Sequence, residues 1–110
     1  MRVVVTTLLM AVAFAATPRA QAAKVTQGQQ VYTDQKCGLC HSIADKGNKK
    51  GPLDGVGTRL SAAEIREWMT DAKGMTVKMK ATRKPDMKAY SLPKDDLDAL
   101  VAYMVSLKKS

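Results

Sequence analysis

Histidine is almost missing from this chain. His41 is the only one, beside two cysteines, one tryptophan and one phenylalanine in 110 residues, and aromatics make up 5% of the composition. A zinc site wants four ligands, and two cysteines, one histidine and only carboxylates to complete the set make a poor donor list. Period-2 alternation of the kind that marks half-buried strands is lacking, which disfavours a βαβ thiol–disulfide module. After residue 16 no long apolar run recurs, so the remainder is expected to carry no transmembrane segment. Acids are also scarce, 10 against 18 Lys and Arg, for a net charge of +8.

The scarce residues are concentrated in one place. Cys37-Gly38-Leu39-Cys40-His41 is a C-x-x-C-H sequence, the attachment site of a c-type haem. Two thiols at this spacing can each form a thioether with one vinyl group of a single porphyrin, and the adjacent imidazole can bind the iron. That bond needs neutral histidine. A disulfide between Cys37 and Cys40 would close a very short loop and stabilise little.

Residues 1–22 read as a secretory signal peptide, with Arg2 as its charge, Val3 to Ala16 as its apolar segment, and Ala20-Gln21-Ala22 as a cleavage signal ahead of Ala23. The apolar segment is short for a membrane anchor, which needs about 20 residues. The remaining 88 residues, 23–110, form one small domain with 16 Lys and Arg against 10 Asp and Glu, or +6. Its aromatics are Tyr32, Trp68, Tyr90 and Tyr103, thin material for a core, so a bound macrocycle is expected to supply much of the apolar mass. Basic charge suits nucleic acid, anionic membrane or an acidic protein. Export disfavours the first.

A short helix is expected over Val25 to Asp34 with Thr26 as N-cap. Gly28 would admit a close approach by the last helix, and Tyr32 would pack at the same crossing. Residues 41–60 read as loop, and Gly51-Pro52-Leu53-Asp54-Gly55 contains a candidate acceptor for the second nitrogen of His41, the Pro52 carbonyl. Ser61-Ala62-Ala63-Glu64 is a capping box that opens a helix to about Thr70. Trp68 on that helix needs a partner for its indole N–H when buried, and a haem propionate would serve. Residues 71–90, with Gly74, Pro85 and many lysines, read as a long loop whose methionines, Met75, Met79 and Met87, include a candidate sixth ligand. Asp95 to about Leu107 is the strongest helix, its stripe being Leu97, Leu100, Val101, Met104 and Leu107.

Together these features resemble the class I c-type cytochromes, small mono-haem proteins with His/Met-ligated iron, and the resemblance covers nearly all of residues 23–110. Gly28 and Tyr32, the Cys37–His41 motif, Gly51-Pro52-x-x-Gly55, Trp68, and Met87-Lys88-Ala89-Tyr90 carry it, with Lys88 where the family commonly has proline. The resemblance implies an all-α cytochrome c fold of three to four helices around one covalently bound haem c. Cys37 and Cys40 would hold the haem, and His41 and Met87 would be its axial ligands. Pro52, Trp68 and Tyr90 would belong to its pocket. It implies a monomeric periplasmic one-electron carrier, not an enzyme, meeting a redox partner with an acidic docking surface. An electron-accepting subunit of a periplasmic dehydrogenase, or a ligand-binding or peroxidatic haem protein, are the alternatives.

Overall fold

The computed structural model describes residues 17–109. The apolar segment of the expected signal peptide therefore lies outside the described residues. No helix within them is long and apolar enough to cross a membrane.

Helix α1 runs Pro18–Asp34, longer at its N-terminus than expected. Thr17 caps it, its hydroxyl accepting from the Ala20 amide at 3.2 Å, and Pro18 occupies the first turn, where a missing N–H costs nothing. Thr26 is consequently not an N-cap. It lies inside the helix, its hydroxyl donating to the Ala22 carbonyl at 3.1 Å. Residues between Pro18 and Val25 include three alanines, good helix formers, which carry the helix across the expected cleavage point at Ala22.

Helix α1 crosses the C-terminal helix at Gly28. A Cβ added there would collide with the Ala99 carbonyl and lie 2.6 Å from the Tyr103 Cβ, so only glycine allows the approach. Tyr32 and Tyr103 meet one turn further on, edge to face, with ring centroids 5.9 Å apart and planes at 86°. At the other side of the crossing Gln27 Nε2 donates to Asp96 Oδ1 at 3.1 Å.

The segment from 41 to 60 is more structured than the expected loop. Strands β1 (Ser42–Ile43) and β2 (Lys46–Gly47) pair antiparallel, turning through Ala44 and Asp45, both at positive φ. A single helical turn, α2, spans Val56–Arg59. Two-residue strands are too short for alternation to register in sequence.

Helix α3 is Ala62–Thr70, with both halves of the capping box formed: Glu64 N donates to Ser61 Oγ at 3.1 Å, and Ser61 N to Glu64 Oε1 at 3.0 Å. The expected loop after it begins instead with helix α4, Ala72–Lys78, capped by Asp71, whose carboxylate accepts from the Gly74 amide at 3.2 Å. α4 buries only Ala72 and Met75, so its stripe is too short to stand out, and Gly74 weakens the local helical signal. Helix α5, Lys94–Ser106, begins at an N-cap Pro93 with Asp95 and Asp96 in its first turn, where carboxylates complement the exposed amides.

The fold is all-α, with five α-helices among the described residues, including the single turn α2. Its core joins Val31 of α1, Val56 of α2, Ile65 and Met69 of α3, and Leu100, Val101 and Met104 of α5. Asp98 ties α5 to α3, accepting from Arg66 Nη2 at 2.6 Å, while Lys94 Nζ lies 2.8 Å from its other oxygen.

Candidate haem site

Lys36, in a left-handed conformation, ends the approach from α1 and starts a tight 3-10 turn over Cys37–Leu39. The amides of Cys40 and His41 both donate to the Cys37 carbonyl, at 3.1 and 3.0 Å. This turn brings Cys37, Cys40 and His41 to the wall of one cavity of about 510 Å³. The two cysteines are not joined in a disulfide.

His41 Nδ1 lies 3.0 Å from the Gly51 carbonyl oxygen. A carbonyl can only accept, so Nδ1 carries the proton and Nε2 keeps its lone pair. Burial pushes the imidazole pKa down; the Gly51 bond raises it and the Arg83 charge lowers it, for a net value below the ordinary 6.5. His41 is therefore neutral at pH 7, the form that can bind a metal.

The acceptor is Gly51, one residue before the expected Pro52. Ser42 pairs with Pro52 in a parallel bridge: its amide donates to Gly51 O at 3.1 Å, and its carbonyl accepts from Leu53 N at 2.8 Å. This pairing turns the Gly51 carbonyl toward His41 and leaves Pro52 exposed and away from the cavity wall. Pro52 is thus a corner of the turn rather than a pocket residue.

The rest of the wall comes from α2, α3, α5 and the segment before α5. Val56, Ile65, Leu100 and Met104 supply apolar surface, and Trp68 and Tyr90 line the same cavity. Of the three loop methionines only Met87 reaches it. Met75 is fully buried in α4 and Met79 is 45% exposed; neither is on the cavity wall. Tyr32 also lines the cavity, and its hydroxyl is buried without a hydrogen-bond partner among the described residues. Arg83 lines the same cavity, and the sequence offered nothing to single it out from the neighbouring lysines. Its guanidinium lies against the Gly51 Cα, where a Cβ would collide with it.

These residues fit a haem. The volume lies within the ~300–1,000 Å³ of small-molecule and cofactor sites. Two thiols stand beside a neutral imidazole with a free lone pair, and a thioether lines the same space. An all-α fold closing an apolar cavity over a C-x-x-C-H turn defines a c-type haem protein.

The family model described as Cytochrome c matches residues 25–108. The chain belongs to the cytochrome c family and carries covalently bound haem c, for which Cys37 and Cys40 are positioned. Comparison with curated proteins and with solved structures gave no match.

Proposed function

We propose that this haem-based electron carrier is an exported, monomeric one-electron shuttle of the periplasm, with His41 and Met87 as axial ligands and no substrate chemistry of its own. The observation that carries the reading is the presence of both side chains on one apolar cavity beside Cys37 and Cys40. When bound, the haem supplies a single electron-accepting iron. Cys37 and Cys40 would hold it, the apolar wall would exclude water, and His41 with Met87 as iron ligands would leave no open position for oxygen or peroxide. Export is supported by the leader-like residues 1–22.

The partner is a redox protein with an acidic docking surface. Between residues 73 and 88 stand Lys73, Lys78, Lys80, Arg83, Lys84 and Lys88 against a single acid, Asp86. Some of this charge is engaged: Lys84 pairs with Asp86 at 2.7 Å, Lys78 approaches Glu67 at 3.7 Å, and Lys88 Nζ lies 5.2 Å from the centre of the Tyr90 ring. Lys73 and Lys80 form no ion pair among the described residues and are exposed. Hydrated, flexible ammonium groups speed encounter without locking the complex, as a shuttle requires.

The test is a potentiometric titration of the purified native protein, with carbon monoxide or cyanide added to a second sample. A reversible one-electron wave with slow ligand binding is the expected result. Rapid ligand binding would replace the carrier reading with a ligand-binding or peroxidatic one. Recovery only in a stoichiometric complex with a dehydrogenase would make the protein that enzyme's dedicated subunit.

A further inference from the structure

We propose that Arg83 raises the reduction potential of the haem by holding a fixed positive charge against the Gly51 turn that orients His41. The inference rests on the haem reading above and adds a residue to it.

Arg83 lies in the segment between α4 and α5, yet its guanidinium reaches the turn on the His41 side of the cavity. An ideal Cβ on Gly51 would collide with Nη1 and come within 2.9 Å of Cζ. Gly51 is the residue whose carbonyl accepts the His41 Nδ1 proton. Glycine at this position makes room both for the guanidinium and for the Cys40 carbonyl, which the same Cβ would also strike. Among the described residues Arg83 makes no hydrogen bond or ion pair, and it lines the haem cavity.

Other charged groups on that wall are differently placed. Arg59 Nη1 donates to the Asp54 carbonyl at 2.8 Å, Asp86 is paired with Lys84, and Lys88 lies over Tyr90. Lys36 also lines the cavity, but on the approach to the Cys37 turn. Arg83 alone among these meets the residue that holds His41.

Coulomb's law gives the sign. Removing an electron from the iron adds one positive charge to the site, and a neighbouring cation opposes that addition. Arginine does not lose its proton in proteins, so the effect persists at every working pH. The hydrogen bond from Nδ1 to a carbonyl raises the basicity of the imidazole, which favours Fe(III). A guanidinium at the Gly51 turn acts against that tendency. Both effects of the guanidinium, its direct charge and its opposition to the electron push from His41, favour Fe(II).

The experiment compares wild type, Arg83→Gln and Arg83→Lys as haem-loaded proteins by spectroelectrochemistry, with chemical mediators as electron donor and acceptor. The near-infrared iron–methionine band of the ferric form is followed in parallel. Arg83→Gln is expected to raise the Fe(III)/Fe(II) ratio at a fixed applied potential by about tenfold, which is ~59 mV for a one-electron couple. Arg83→Lys is expected to keep more than half of the wild-type difference, and the band should survive in both. A Gln variant with the wild-type potential would overturn the proposal. So would equal falls in Gln and Lys, or loss of the band in either, because geometry rather than charge would then be at work. A wild-type protein without the band would refute Met87 ligation, while the comparison of potentials would still decide the role of Arg83.

Discussion

The amide of Tyr90 donates to the carbonyl of Met69 at 2.7 Å, and among the described residues it is the only backbone–backbone hydrogen bond made by residues 82–92. The bond ties the segment carrying Met87 to the last turn of α3. Met87 itself packs partly buried against the core cluster. Among the described residues the Met87 side of the cavity is thus held by one backbone bond and by side-chain packing. By contrast, the His41 side is cross-linked by the Ser42, Gly51 and Leu53 bonds.

The methionines near that tether divide by environment. Met75 is fully buried, and Met75→Ala should destabilise the protein by about 2–5 kcal/mol, the range for truncating a buried aliphatic or methionine side chain. Met79→Ala, at an exposed site, should stay within about 0.5 kcal/mol of wild type. Both should keep the iron–methionine band. Denaturant titrations of the haem-loaded proteins, followed by circular dichroism and the band together, check this.

The helix crossing gives a second contrast. Gly28→Ala places a methyl against the Ala99 carbonyl and Tyr103, and should cost about 1–3 kcal/mol as overpacking, even though alanine is the better helix former by about 1 kcal/mol. Gly38→Ala meets no atom within 4 Å and should be neutral. Unfolding midpoints of the two variants decide the matter.

How much of this was legible in sequence depended on how local the cause was. The capping box at Ser61 and Glu64 and the stripe from Leu97 to Met104 act within a few residues, and both helices fall within a residue or so of expectation. Gly28 and Tyr32 were readable because a small residue and an aromatic four positions apart on one helix imply a crossing. α4 was missed because two buried residues make no pattern. The Gly51 carbonyl was missed by one position because its direction is set by pairing with Ser42, not by Pro52. Arg83 could not be read at all, since its neighbour, Gly51, is distant in sequence.

Acid stability should report on Asp98. Hydrogen bonds from Lys94 first, and then from Arg66, hold its carboxyl at about 2, below the ordinary 3.8. A depressed carboxyl contributes stability above its unfolded pKa and loses it as pH falls through the folded value. Asp98→Asn should therefore be less stable than wild type near neutral pH, and the two should converge as pH drops from about 4 toward 2. Urea midpoints across that range, compared as a difference, measure it.

Docking charge can be tested away from the ligand segment. Lys73→Glu with Lys80→Glu should slow association with the native redox partner at low salt. The rates should converge with wild type at high salt, where screening acts within ~3 Å at 1 M. Stopped-flow electron transfer over a range of ionic strength checks this. An unchanged rate at low salt would remove this surface from the encounter.

The central claim is that one haem iron lies between His41 and Met87. The most direct measurement is the near-infrared iron–methionine band of the ferric protein, recorded with the reduced-minus-oxidised spectrum for wild type, Met87→Ala and Met79→Ala. The account predicts the band in wild type and Met79→Ala and its loss in Met87→Ala, with the haem still covalently attached in all three. A band that survives Met87→Ala and disappears in Met79→Ala would contradict it.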